Sequence, residues 1–174
     1  MKTVLATLVI GALLAVLGAL GVVYSGLFNV AATVEDAPLL RWALVATREA
    51  SIKRHARDIH APPPGGVAQV ETGFRIYREW CVMCHVPPGR PGPPMAKGLN
   101  PEAPDLVEAA EEMSPAELFW VTRNGIRFTG MPAWAATLSD AQMWDAVAFM
   151  KTLPQMKPAD YDALERRIPL APQQ

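Results

Sequence analysis

Apolar and polar residues divide the chain into two unlike parts. No charged side chain occurs from Val4 to Val34, and the stretch from Val4 to Tyr24 consists almost wholly of Val, Leu, Ala, Ile and Gly. A helix needs roughly 20 such residues to cross a bilayer, whereas the apolar core of a cleavable signal peptide spans only roughly 7 to 15. The length therefore predicts an uncleaved transmembrane anchor, which we assign to residues 1–28.

The segment that follows mixes apolar and basic residues. Between positions 36 and 58, apolar side chains recur at helical spacing among Lys and Arg residues, which predicts an amphipathic helix. Such a helix either lies on a membrane surface or docks a partner subunit, or it packs on the folded domain. A Pro- and Gly-rich spacer follows at 61–66, so we assign residues 29–66 to this helix and a linker. His55 and His60 are expected to be ordinary surface or linker histidines.

Short helices are predicted further along the chain. Two serines are each followed three positions later by a residue that can complete a capping box, namely Ser114 with Glu117 and Ser139 with Gln142. A weaker capping signal predicts another helix over 105–113. We expect the helix that begins at Ser139 to be the last of the domain and to end before the proline at position 154.

The length of 174 residues leaves room for one small folded domain with appendages. No later segment alternates convincingly as a strand, so we predict an all-α fold with its domain at residues 67–155. Residues 156–174 are expected to form a C-terminal tail that wraps the domain or hangs free. A formal net charge of −1 offers no clustered positive surface, so no nucleic-acid partner is expected.

The strongest indication of a chemical function is the motif Cys81-Val82-Met83-Cys84-His85. Two cysteines three positions apart, with a histidine directly after the second, form the attachment sequence for c-type haem. On one helical face, the two thiols can add to the vinyl groups of a porphyrin while the imidazole reaches the iron. A dithiol redox motif would need a thioredoxin-like alternation of strands and helices, and a structural zinc site would need a second pair of ligands. The sequence favours neither alternative.

A second iron ligand is needed on the opposite face of the haem. Met131 lies in a Gly-Met-Pro sequence between two predicted helices, where the glycine frees the backbone and the proline stiffens it. A thioether in such a loop can be held pointing at a metal. Met95, which follows two prolines, is the second candidate.

The stretch from Val70 to Pro154 resembles the monohaem class I c-type cytochrome family. Gly73 and Tyr77 are similar to the residues that pack the family's first helix against its last, and residues 125–134 are similar to the family's distal methionine loop. The resemblance implies a small class I cytochrome c helical domain behind an N-terminal transmembrane helix, carrying one haem c. It also implies cofactor binding by four residues, of which the histidine and the methionine ligate the iron: Cys81, Cys84, His85 and Met131.

The same resemblance implies the function. With both axial positions filled by protein, the protein would be a one-electron carrier and not an enzyme, and no catalytic residue is expected. Family members receive haem after export, so we expect a single-pass protein of the bacterial inner membrane with its haem domain in the periplasm. Its partners would be a quinol-oxidising complex, a dehydrogenase or a terminal oxidase of a respiratory chain. The alternatives are a fixed cytochrome subunit of a larger membrane oxidoreductase and a haem-based sensor.

Two features of the haem surroundings can also be anticipated. A backbone carbonyl within the Pro-rich stretch 87–94 is expected to hold the second ring nitrogen of His85, as in the family. Arg90, Arg127 and Trp134 are candidate partners for the haem propionates, since a buried carboxylate needs a donor. A thioether ligand should also give the iron a high reduction potential for a haem.

Overall fold

The computed structural model describes residues 1–169, which fall into two compact units, Met1–Glu35 and a second that begins at Asp36. The first unit contains α1 (Lys2–Ser25), which stops at Gly26 with a left-handed φ of 69°. Its 24 residues rise by roughly 36 Å, and its mean hydropathy reaches 2.5 over an 18-residue window. This helix is long and apolar enough to cross a membrane.

The second unit is built from short helices joined by loops. No strand occurs in residues 1–169, and the predicted all-α fold with an N-terminal apolar helix is confirmed. The helices are α2 (Pro38–Ala56), α3 (Gly66–Ile76), α4 (Leu106–Glu112), α5 (Pro115–Asn124), α6 (Asp140–Met150) and α7 (Pro158–Arg167).

Both predicted capping boxes are present. The Glu117 amide donates to the Ser114 hydroxyl at 3.3 Å, and the Ser114 amide donates to the Glu117 carboxylate at 2.8 Å. Ser139 and Gln142 make the same reciprocal pair at 3.3 and 2.9 Å. Each box satisfies amide groups that have no partner within the helix, so α5 and α6 start where the sequence predicts.

The centre of the second unit is the contact between α3 and α6. A Cβ atom added to Gly73 would overlap the Asp145 carbonyl group and come within 2.9 Å of the Phe149 Cβ. Tyr77 is fully buried, with its ring centroid 5.0 Å from that of Phe149. Gly73 is therefore needed for close approach of the two backbones, and Tyr77 packs over the same contact. Both roles agree with those that the family resemblance implies.

A further helix, α7, lies in the segment that the sequence left undecided between a wrapped and a free tail. Tyr161 and Ile168 are 2% and 3% exposed, and the Tyr161 ring centroid lies 5.4 Å from that of Phe74. Arg90 pairs with two carboxylates of α7, those of Asp162 and Glu165, at 2.7 and 2.6 Å. The described part of this segment therefore wraps the domain.

The amphipathic helix α2 packs on the same unit through its C-terminal half. Ile52 and Ala56 are buried, and the His55 ring stacks on Trp120 of α5 with 5.5 Å between the ring centroids. In the N-terminal half of α2, Leu39 and Trp42 are 75% and 66% exposed. The structure thus supports the packed alternative for the second half of α2 and leaves the apolar side chains of its first turns uncovered.

We expect Gly73→Ala to lower the free energy of unfolding of the full-length protein by about 3 kcal/mol, because the new methyl group would push two helix backbones apart. Urea unfolding followed by circular dichroism measures this loss. Gly98→Ala is the matched control, since a Cβ there meets nothing within 4 Å. Equal stability of the two variants would contradict the close α3–α6 contact.

Candidate haem site

A cavity of about 520 Å³ opens within the second unit. Its walls come from α2, from the turn after α3, from α4 and α5, and from the loop before α6, and most lining side chains are apolar. The four residues that the sequence singled out all line this one cavity: Cys81, Cys84, His85 and Met131. Its size and lining are typical of a cofactor site.

The attachment motif lies at the end of α3, where the helix widens. A π-helical turn, Tyr77–Cys81, follows α3, and the Val82 amide donates to the Tyr77 carbonyl at 3.2 Å. The amides of Cys84 and His85 then both donate to the Cys81 carbonyl, at 3.1 and 2.9 Å. The motif therefore forms a tight turn at a helix end, rather than one face of a continuous helix as the spacing suggested.

His85 is held in a defined orientation. Its side chain is 7% exposed, and its Nδ1 donates to the Pro104 carbonyl at 2.9 Å. A carbonyl can only accept, so this bond places the proton on Nδ1 and leaves Nε2 as the basic nitrogen. The prediction that the partner carbonyl lies within 87–94 was wrong, because the chain makes a longer excursion and returns to His85 only at Pro104.

Electrostatics favour an uncharged imidazole at this position. Burial is the main cause that lowers the pKa of His85, and the hydrogen bond to Pro104 and the charge of Asp105 act in the opposite direction. A neutral ring is the form that binds metals. The His85 side chain therefore suits an iron ligand.

The two thiols are free and half-buried. Burial raises the pKa of Cys81 to about 12, with a further contribution from Cys84, so the Cys81 thiol is uncharged at neutral pH. A dithiol redox site instead relies on a lowered thiol pKa. In residues 1–169, moreover, no three His, Cys, Asp or Glu side chains come together as a metal site, which gives no support to a zinc site.

Met131 lies in a loop that is closed by its own hydrogen bonds. The Ile126 amide donates to the Met131 carbonyl at 3.2 Å, the Met131 amide donates to the Thr129 hydroxyl at 3.1 Å, and that hydroxyl donates to the Ile126 carbonyl at 2.8 Å. Gly125 begins this loop with a φ of +64°, and a Cβ there would lie 2.6 Å from the Pro132 carbonyl carbon. These constraints fix the Met131 backbone beside the cavity.

Five methionines line the cavity, so position beside the cavity alone does not identify the second iron ligand. Met95, the second candidate of the sequence analysis, is 57% exposed, and Met150 belongs to the buried face of α6. Only Met131 combines a half-buried position with the closed loop just described. The methionines that line the cavity are Met83, Met95, Met113, Met131 and Met150.

Of the three candidate propionate partners, only Trp134 lines the cavity, where its ring lies 5.3 Å from that of Trp80. Arg90 is instead paired with the acids of α7, and Arg127 is exposed and does not line the cavity. These contacts give the propionate role of Arg90 and Arg127 no support, and for both residues that role stays a prediction.

The segment that contains all four predicted haem-binding residues is similar to a known protein family. Residues 68–150 match the family model described as cytochrome C oxidase, cbb3-type, subunit III. This part of the chain is a class I c-type cytochrome domain. Its cofactor is haem c, with one iron, and a mostly apolar cavity with two free thiols and a tautomer-fixed imidazole fits that group. No curated protein gave a significant match to the chain.

The cytochrome domain also draws on residues that the sequence analysis did not assign to the site. Arg48, Ile52 and Lys53 of α2 line the haem cavity although they precede the matched segment, and Pro104 lies in the long loop before α4. The amphipathic pattern of α2 indicated a buried face but not what that face would cover. The sequence contained no local signal for the His85–Pro104 pair, which joins residues 19 positions apart.

We expect Gly125→Ala to destabilise the cytochrome domain by about 3 kcal/mol, because a methyl group there combines left-handed strain with overlap onto the Met131 loop. Gly66→Ala separates the two effects, since Gly66 has a φ of +71° with nothing within 4 Å of its Cβ, and should cost only about 1 kcal/mol. Urea unfolding of the haem-loaded proteins measures both. Similar losses in the two variants would show that the Met131 loop tolerates the methyl group.

Proposed function

We propose that this protein is a membrane-anchored one-electron carrier with a single haem c, attached through Cys81 and Cys84 and ligated by His85 and Met131. The observation that supports this most strongly is that all four side chains line one apolar cavity. The fixed Nδ1 proton of His85 and the closed Met131 loop support the same assignment. When bound, the haem supplies reversible one-electron oxidation and reduction of its iron.

The protein residues around the site determine what that chemistry can be used for. With His85 and Met131 both held as ligands, the iron would have no coordination position left for a substrate, so these side chains support electron transfer rather than catalysis. The mostly apolar lining would lower the local dielectric around the iron and limit the access of water to it. Met83 and Met95 line the cavity and are 48% and 57% exposed, so the cavity reaches the protein surface beside these two residues.

We assign α1 as an uncleaved single-pass anchor. Its 24 residues and high mean hydropathy support a bilayer-spanning helix. Haem attachment in this family follows export, so the cytochrome domain would face the periplasm of a bacterial inner membrane, with the N-terminus in the cytoplasm. Anchoring would raise the effective concentration of the carrier near membrane partners of the kind predicted above, a quinol-oxidising complex, a dehydrogenase or a terminal oxidase.

A fixed subunit of a larger oxidoreductase is the second candidate function. The family model that matches residues 68–150 is described as an oxidase subunit, which supports this alternative. A stable stoichiometric complex after mild detergent extraction would favour the fixed subunit, whereas isolation as a single chain with exchangeable redox partners would favour the carrier. Rapid carbon monoxide binding to the reduced wild-type protein would instead favour a haem-based sensor.

We expect Met131→Ala to retain covalent haem, to lose the charge-transfer band of methionine-ligated ferric iron completely, and to bind carbon monoxide when reduced. The reason is that this variant removes the distal ligand but leaves the thioether linkages. Absorption spectra, with the pyridine haemochrome as the measure of covalent haem, provide the test. Met95 lines the same cavity, so Met95→Ala is the matched control. We expect that variant to keep the charge-transfer band. A band that survives in Met131→Ala and disappears in Met95→Ala would reverse the ligand assignment.

We expect the mature full-length protein to stay in the membrane pellet after alkaline carbonate extraction, because α1 is a bilayer-spanning helix. Its intact mass should equal the whole chain, with or without the initiator Met, plus one haem. Replacing residues 1–27 with a cleavable export signal should release the haem-loaded protein in soluble form. A mature mass that lacks the α1 residues would contradict the anchor and leave the haem assignment unaffected.

A further inference from the structure

The helix α2 forms part of the wall of the haem cavity although it lies before the matched cytochrome segment. Ile52 is 7% exposed, and Arg48, Glu49 and Lys53 line the cavity beside it. Positions 48, 49, 52 and 53 share one face of a helix, and Ala56 continues the buried stripe one turn later. The stack of His55 on Trp120 holds this end of α2 against α5. The wall is therefore a fixed part of the second unit.

The charges of the cavity lining are distributed unevenly. Among the residues that the structure describes, Arg48 and Lys53 are the only Lys or Arg side chains that line it. Haem carries two propionate groups, and a carboxylate is disfavoured beside other carboxylates and favoured beside cations. The acidic lining residues, by contrast, come from α2, from α4 and the loop before it, and from α5: Glu49, Glu102, Asp105, Glu108, Glu112 and Glu117.

Arg48 is available for such a contact. Its side chain is 38% exposed, and its one ion pair, with Glu49, is long at 3.8 Å. A guanidinium can bind a carboxylate through two parallel hydrogen bonds, and partial burial strengthens the interaction. Lys53 lies on the same stripe and is exposed, so its flexible side chain suits the solvent side of the site.

We propose that Arg48 and Lys53 of α2 hold the haem propionates, so that a helix outside the cytochrome segment supplies the cationic side chains of its haem site. The proposal rests on the haem site proposed above. These two residues are positioning residues that also set the local charge. A cation beside the haem disfavours the ferric state, which carries one more positive charge than the ferrous state, so the pair raises the reduction potential.

The test compares charge-neutralising variants of the full-length, haem-loaded protein. Arg48→Gln should lower the midpoint potential and shift the propionate bending bands in the resonance Raman spectrum, and Lys53→Gln should produce a smaller downward shift. Arg54→Gln removes the same charge from the same helix at an exposed position that does not line the cavity, and should leave both readouts unchanged. Arg48→Lys should restore most of the potential, because it keeps the positive charge.

Equal potentials and identical Raman bands in Arg48→Gln and Arg54→Gln would overturn the proposal. If Arg48→Gln cannot be isolated, the midpoint potential of Lys53→Gln tests the proposal, because Lys53 is exposed. An unchanged potential in Lys53→Gln would count against the assignment. Absence of covalent haem from every form, wild type included, would instead refute the proposed electron-carrier function. The pyridine haemochrome spectrum separates these two failures.

Discussion

The close approach of α3 and α6 is the constraint on which the rest of the structure depends. At Gly73 the two backbones leave no space for a side chain, which fixes the direction in which α3 delivers the attachment motif. The same helix α6 holds α5, because the Phe119 ring lies nearly parallel to Trp144 with 4.1 Å between the ring centroids. The Met131 loop joins α5 to α6, so both sides of the cavity are positioned from one helix. A single contact thus relates the residues expected on opposite faces of the haem.

The helix boundaries and the attachment motif could be predicted because their signals are local. Capping boxes at Ser114 and Ser139 involve residues three positions apart, and the motif itself spans five residues. The helix α7 also carried local signals that the sequence analysis did not use, namely a proline at its start and arginines in its last turn. Its mixture of charges resembled a solvated tail, because its few apolar residues are spread among acids and bases.

The remaining features could not be predicted because they depend on tertiary contacts. The carbonyl partner of His85 depends on where the long loop after the motif returns, and Pro104 is one of many carbonyls in that loop. The partners of Arg90 lie more than 70 positions away on α7. For α2, the amphipathic pattern was consistent with both a lipid surface and a protein surface, and only its packing against α5 distinguished them for the buried half. Side-chain chemistry alone therefore predicted four residues that line one cavity, but not the complete surroundings of that cavity.

The packing of α2 and α7 has a consequence for how the limits of the domain are drawn. The matched segment ends at residue 150 and starts at 68, yet Ile52, Tyr161 and Ile168 are each less than 10% accessible within the same folded unit. A fragment trimmed to the homologous core would lose one side of its cofactor chamber and expose aromatic surface that Tyr161 now covers. The evolutionary module and the physical folding unit are thus different lengths of polypeptide in this protein.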